Sequence, residues 1–429
     1  MKSRERIRMG FKQMTDRKVL FLIPAVWLLV FVMAAYMGKN ALRSMGNPFA
    51  SDLFGFIFVI IALEVAVAGV CAIMSLAGTP LGANRIEKEL TKAGFTDEAG
   101  ESPILLSCKK DGKGVALLFF SKQLPLTEYE KHREHLETVL NMKIISFEMG
   151  RDMRHTVIKA LSLPLSNSKT LPWQDCYLSD KDFELVLGEG YFGIERIDIS
   201  STPHLLIGGG SGSGKSKLLK LILMESIKKG ARIFLADFKG GVDYPTVWHQ
   251  YCNIITEQSE FDSQLTQILD EMERRRSLLV LSQTSNIGDY NTKAATSLPR
   301  LIVACDEIAE VLDKTGLAKE EKELVGRVES KLSTIARQGR AFGIHLVLST
   351  QRPDAEILKG QIKNNIGYRV CGRADKILSN IVLDKPDAAD TITPQDQGMF
   401  LTNTDVLFQA YYVEDDCLKG VAASAEQTL

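Results

Sequence analysis

Lys215 and Ser216 close a run of small residues, Gly209-Gly210-Ser211-Gly212-Ser213-Gly214, and that spacing is what a triphosphate requires. Residues without bulky side chains let successive backbone N–H groups wrap phosphate oxygens; a lysine then reaches the β- and γ-phosphates, and a hydroxyl joins the shell of a Mg2+ ion. The frame Gly209-x4-Gly214-Lys215-Ser216, followed by Lys217, therefore predicts an ATP and Mg2+ site, a flexible Gly/Ser linker being the other use of such a composition. Asp306 and Glu307 form a second reactive pair. Asp306 would orient the Mg2+ shell with Ser216, and Glu307 would polarise the attacking water. A helix N-cap explains Asp306 alone but not the pair. Gln351 is a candidate sensor of the γ-phosphate. Arg340, with Arg337 second, is a candidate finger reaching a neighbouring subunit's γ-phosphate, against the plainer use of a basic residue at a helix C-terminus.

These groups need rigid elements behind them. Leu205, Leu206 and Ile207 form an apolar strand before the glycines, and Leu218 to Ile227 reads as the helix after them. Ala231 to Asp237 is a buried strand ending in an acid, with Gly240 and Gly241 turning the chain. Asp237 and Lys239 are either nucleotide-edge groups or turn residues. Leu301 to Cys305 carries Asp306 and Glu307, and Ile344 to Thr350 carries Gln351. Strands that each end in a polar residue, alternating with helices, predict an α/β fold with a parallel sheet.

The other end of the chain has a different character. Val19 to Met37 contains no charge and spans roughly 28 Å as a helix; Leu53 to Gly78 is interrupted only by Glu64. They predict a two-helix transmembrane hairpin, with a cleaved signal peptide as the rival reading of the first run. Lys2, Arg4, Arg6, Arg8, Lys12, Arg17 and Lys18 outweigh Glu5 and Asp16 before the first span, which places the N-terminus and everything after the second span in the cytoplasm. Residues 82–165 read as a small α+β domain: a helix near Arg85 to Ala93, strands at Ile104–Ser107 and Val115–Phe120, a helix over Thr127–Leu140 and a strand near Lys143–Phe147. Residues 166–186 read as a linker, 187–416 as the motor and 417–429 as a tail, with 1–18 a basic N-terminus, 19–37 and 53–78 the spans and 38–52 the loop between them. The net charge of −1 over 429 residues gives no whole-molecule field for nucleic acid, so such contacts must be local or come from a ring of subunits. Seven cysteines without C-x-x-C spacing fit a reducing compartment.

From Leu187 to Asp416 the sequence resembles the FtsK/SpoIIIE family. The resemblance is carried by Leu187-Gly188, Pro203-His-Leu-Leu before the glycine loop, EMERR at Glu271 to Arg275, Asn286-Ile287 and Tyr290-Asn291, GRAFGIHLVLSTQRP at Gly339 to Pro353, IKNNI at Ile362 to Ile366, and Gln397-Gly398-Met399-Phe400-Leu401. It implies a RecA-like P-loop motor, a hexameric ring and DNA gripped by loops in its channel. Arg352, Lys359 and Lys363 follow the Gln351 strand and would touch DNA phosphates, an exposed basic loop being the alternative. The chain stops soon after Tyr412, where chromosome pumps carry a winged-helix domain, and it has two spans where they have four. In this it is similar to the coupling ATPases of Gram-positive integrative conjugative elements. The expected function is that of a membrane-anchored DNA translocase delivering relaxase-bound DNA to a type IV secretion-like transfer channel. The alternatives are a type VII-like protein-export ATPase and a double-stranded DNA or chromosome pump.

Overall fold

The computed structural model describes residues 2–43, 48–162, 170–351 and 360–419. The chain divides into two compact units, residues 1–165 and 166–429.

The first unit opens with α1 (Lys2–Asp16) and a short 3-10 turn, then α2 (Leu22–Arg43) and α3 (Pro48–Ala77). Leu22–Ala41 and Leu53–Ala77 are long and apolar enough to cross a membrane, and few of their residues are fully buried within the protein. The predicted loop 38–52 is shorter than expected, because Lys39 to Arg43 continue the first helix and Pro48, whose missing N–H is harmless in a first turn, starts the second. Helix α1 is fastened to α4 (Ala83–Lys92). The Arg6 guanidinium donates to Asn84 Oδ1 at 3.0 Å and to both Glu87 oxygens at 3.0 and 3.1 Å, and Lys2 also pairs with Glu87. Glu87 is buried and takes the Leu105 N–H as well, so the charge is fully engaged.

Four antiparallel strands follow, β1 (Ile104–Asp111), β2 (Gly114–Phe120), β3 (Met142–Met149) and β4 (His155–Ser162), in the order β1-β2-β4-β3. The single helix expected over 127–140 is two, α5 (Leu126–Lys131) and α6 (Arg133–Leu140), because the backbone leaves helical geometry at His132. They pack Tyr129, Leu136 and Leu140 onto a core with Leu105, Leu117, Phe119 and Ile158.

The second unit is an α/β motor around one sheet. Its strands are β5 (Leu171–Pro172), β6 (Glu184–Gly190), β7 (Ile194–Asp198), β8 (Leu205–Gly208), β9 (Arg232–Ala236), β10 (Cys252–Ile255), β11 (Leu301–Cys305), β12 (Ile344–Thr350), β13 (Tyr368–Cys371), β14 (Met399–Thr402) and β15 (Leu407–Tyr412). They lie in the order β10-β9-β11-β12-β8-β13-β14-β15-β6-β7, with β5 beside β15. The half from β10 to β13 is parallel and buried on both faces, which explains its continuous apolar runs. Helix α7 (Lys215–Lys228) is enclosed along most of its length.

Two corrections concern the motor's limits. The predicted linker 166–186 belongs to the motor from Thr170 on: β5 pairs with β15, and Trp173 is buried with its indole N–H donating to Glu225 Oε1 at 2.8 Å. At the other end Leu418 is fully buried, and Asp415 accepts from Lys220 Nζ at 2.8 Å and Trp248 Nε1 at 2.6 Å, so the tail does not begin at residue 417.

Candidate nucleotide site

Register puts the chemistry at one edge. Thr350 lies opposite Gly208, Leu348 opposite Cys305, and Cys305 opposite Ala236, so β8, β9, β11 and β12 end level with one another. The residues just past each strand converge there. After β8 the loop turns through Gly209, Gly212 and Gly214 with φ of 157°, 74° and 97°. A Cβ on Gly209 would collide with Ser213 Oγ, and one on Gly214 would stand 3.0 Å from Gly398 Cα, so sterics as well as φ demand glycine at both. The N–H of Gly210 is taken by the Arg373 carbonyl at 2.8 Å and that of Ser213 by Gly210 at 3.1 Å. Among the described residues the N–H groups of Ser211, Gly212, Gly214, Lys215 and Ser216 have no backbone partner, and they rim a cavity of about 240 Å3 at the start of α7. An array of free donors at a helix N-terminus is an anion cradle.

Lys215 is buried and donates to the Asp306 carbonyl at 2.5 Å and to Ser349 Oγ at 3.0 Å, with Asp306 Oδ1 at 3.4 Å. Ser349 Oγ donates to the same carbonyl. Ser216 Oγ stands 3.3 Å from Asp306 Oδ1. Two hard oxygens are too few for an all-protein cage, and among the described residues no cluster of three or more His, Cys, Asp or Glu could hold a metal. That donor set fits Mg2+, which takes one or two protein ligands and completes its octahedron with waters and phosphate oxygens.

Glu307 is turned the other way. One of its oxygens accepts from Thr350 Oγ1 at 3.0 Å, the other from the Gln351 N–H at 2.9 Å, and it also caps α8 (Ile308–Leu312) through Ala309 N–H. A carboxylate so braced is held at a fixed height beside the cavity, whose wall includes Gln351. Lys239 joins the same cavity and donates to Asp306 Oδ2 at 3.3 Å, so of the two readings offered for it the nucleotide edge is the one its position supports. Burial pushes the Asp237 carboxyl up, with the Asp306 charge acting in the same direction. Against the pull of burial, Asp306 holds the Lys239 ammonium above its ordinary value.

Three features have no counterpart in the sequence reading. Arg373, after β13, donates to the Ser211 carbonyl and so braces the loop from outside. Beside the loop, on the far side of Lys217, lies a second cavity of about 290 Å3 walled by Thr170, Gly398, Gln409, Tyr411 and Tyr412. Gln409 Nε2 is anchored on the Gln397 carbonyl at 3.1 Å, which leaves Oε1 buried with no partner among the described residues. Tyr411 stacks on Tyr177 with centroids 4.5 Å apart, and Lys217 Nζ sits 4.9 Å over the Tyr412 ring. The only sequence signal is the run Gln397-Gly398, which carries the family resemblance and by itself says nothing of chemistry.

Other predicted residues lie elsewhere. Arg340 sits in the 3-10 turn before β12, at the opposite end of the sheet from Lys215, with Nε on the Ser200 carbonyl at 3.3 Å. It does not join its own chain's site. Arg337 is bonded to Ser333 one turn back. Lys363 ends the short α9 (Gly360–Lys363) and pairs with Asp384 at 2.6 Å, a carboxylate it shares with Arg369. Arg352 and Lys359 lie outside the described residues.

Residues 179–355 match the FtsK/SpoIIIE family. Among curated relatives, the DNA translocase FtsK of Treponema pallidum is 36% identical over 219 residues, 48% of this chain and 26% of that protein. The DNA translocase FtsK of Helicobacter pylori is 32% identical over 259 residues, 57% of this chain and 29% of that protein. The chain thus matches under a third of those proteins' length. Among solved structures, the pCW3 conjugation coupling protein TcpA, in monomer form with ATPγS, is 37% identical with a TM-score of 0.59, covering 79% of this chain and 96% of that one. The cytoplasmic domain of the type VII secretion ATPase EccC of Thermomonospora curvata shares the fold at 23% identity and a TM-score of 0.50, covering 62% and 35%.

Proposed function

The chain belongs to the FtsK/SpoIIIE family, and from that premise we propose that it is a membrane-anchored ATPase that drives DNA, acting as a coupling protein that hands relaxase-bound DNA to a conjugative channel. The observation that carries the reading is the convergence of Lys215, Ser216, Asp306 and Glu307 on one sheet edge, in a chain that covers 96% of the solved chain of a conjugation coupling protein at 37% identity. Free N–H groups of the glycine loop bind the phosphates, and the unpaired Gln409 Oε1 accepts from the amino group of the base. Mg2+, when bound, neutralises phosphate charge. Glu307, braced by Thr350 and Gln351, takes the proton of the attacking water, and the Gln351 backbone bond links that carboxylate to the segment that runs on toward Arg352. Arg340, remote from its own loop, would serve a neighbouring subunit in a ring, the hexamer being the form the family implies.

One contact and one charge bias support a hairpin in the membrane. Arg6 and Glu87 flank the two apolar helices and meet, so both flanks lie on one side. The seven cations before Val19 make that side the cytoplasm. The test is ATP turnover by the full chain with and without DNA, with Lys215→Ala as blank. Stimulation by DNA of any sequence supports the reading. Turnover that ignores DNA but answers to a secreted protein would replace it with export.

A further inference from the structure

At the foot of the apolar helices the protein encloses a space that the motor does not use. Helix α1 crosses the end of α3 backbone to backbone: a Cβ on Gly10 would collide with the Met74 carbonyl, and one on Gly78 with the Arg6 carbonyl. Beyond that crossing a cavity of about 670 Å3 opens between the last turn of α1, the exit of α3 and β1. Arg17, Lys109, Asp16 and Ser107 line it together with Leu20 and with Leu81, whose full exposure puts it at the lip. A smaller cavity of about 200 Å3 adjoins it, shares Asp16, Ser107 and Lys109, and adds Lys12.

Three features of this space point the same way. Lys12, Arg17 and Lys109 make no side-chain hydrogen bond or ion pair with any described residue, so three cations face one carboxylate. The lip is apolar and bare: Leu81 is 100% exposed. Finally the cavity lies at the level where α2 begins, at Leu22, and the apolar stretch of α3 ends, at Ala77. A cationic chamber with an apolar lip at the membrane surface suits an amphiphile with an anionic head, not a soluble cation or a neutral polar ligand.

We propose that this cavity binds the phosphodiester head group of an anionic glycerophospholipid from the leaflet at the end of the hairpin where α1 and α4 lie, with Lys109 and Arg17 on the phosphate and Leu20 and Leu81 against the glycerol and first methylenes. The inference rests on the reading of α2 and α3 as membrane spans. Free inorganic phosphate shares the head group's chemistry but has nothing to place against the lip.

The full chain, extracted from membranes in mild detergent and exchanged into bilayer discs of phosphatidylcholine with graded phosphatidylglycerol, is assayed for lipid retained through a second detergent extraction by native mass spectrometry. Lys109→Glu is the main variant, because it lies on β1 and leaves the charges that orient the spans. Lys109→Gln is the milder form should the first not fold, and Lys122→Glu is the control for bulk charge. Retained phosphatidylglycerol should fall at least about fivefold in Lys109→Glu, by less in Lys109→Gln and not in Lys122→Glu, with phosphatidylcholine unchanged. Equal retention in all variants overturns the site, as does displacement of the lipid by millimolar inorganic phosphate, which would make it a free-anion site. A chain that washes out of the membrane fraction at high salt would instead remove the premise that α2 and α3 span it.

Discussion

Gln409 offers a quantitative test of how the base is read. Its amide is oriented by the bond from Nε2 to the Gln397 carbonyl, so the atom left without a partner is an acceptor, Oε1. Adenine presents an amino donor at its six position and guanine a carbonyl acceptor. With ATP the acceptor gains one neutral hydrogen bond, worth about 0.5–1.5 kcal/mol net; with GTP an acceptor meets an acceptor and stays desolvated, at about 1–3 kcal/mol. The native chain should therefore prefer ATPγS to GTPγS by the sum of the two, about 1.5–4.5 kcal/mol or about 13- to 2000-fold in Kd. Gln409→Leu removes the acceptor and keeps the wall. ATPγS affinity should fall by about 2- to 13-fold while GTPγS affinity stays level or improves, bringing the ratio close to one. Calorimetric titration of both nucleotides into native and variant chains reads both numbers. A native ratio near one, or a large ratio that Gln409→Leu leaves in place, would refute the reasoning and move base recognition off this wall.

Glu307→Gln should retain nucleotide binding within a few-fold and lower phosphate release by about 100-fold or more, measured as released phosphate with DNA present; a fall of less than tenfold would remove Glu307 as the base. Arg340→Ala and Lys215→Ala should each be inactive and recover part of the turnover when mixed, since each supplies what the other's neighbour lacks; a mixture that assembles yet stays inactive would count against a trans role. Burial pushes the Glu225 carboxyl up from 4.5 to about 7, so the fold's stability from this group is whole below pH 4.5 and declines as pH rises through 7, by about 3 kcal/mol in all. Trp173→Phe removes a donor to that carboxylate and should destabilise the motor by about 1–3 kcal/mol at pH 8, and by less at pH 5 where Glu225 is protonated; thermal melts at the two pH values compare them. Gly209→Ala should abolish nucleotide binding through its clash with Ser213, while Gly230→Ala, with open space around it, should cost only the strain of its 79° φ; equal effects would deny the loop's special sterics.

The phosphate loop and the acids after β11 were legible because a local pattern dictates them: where an apolar run ends, the next residues must stand at the sheet's edge. Asp237 and Lys239 were only half legible, since a turn and a site use the same residue types, and it took the pairing of β9 with β11 to bring Lys239 to Asp306. Gln409, Tyr411 and Thr170 were not legible at all. Their wall is built by β15 meeting β5 across more than two hundred residues of chain, and no spacing announces such a pairing. The same non-local contact makes sheet of a stretch whose Pro and Ser content suggests a linker. Trp173 is the one local sign against a linker, since an isolated tryptophan needs a place to be buried.

The clasp between Arg6 and Glu87 also has a meaning in time. Glu87 leaves the ribosome 81 residues after Arg6, a delay of roughly 4 to 16 s at ordinary elongation rates, and for that interval Arg6 lacks the carboxylate that will hold it, Glu5 and Asp16 being the only acids of its own helix. That helix can lie on the lipid surface while both apolar helices enter, and it is withdrawn once α4 emerges on its side. A nascent chain whose second helix stays on the far side never presents Glu87 to Arg6. On the proposed reading of α2 and α3 as membrane spans, the ion pair would thus work as a receipt for correct insertion, issued before any part of the motor has been made.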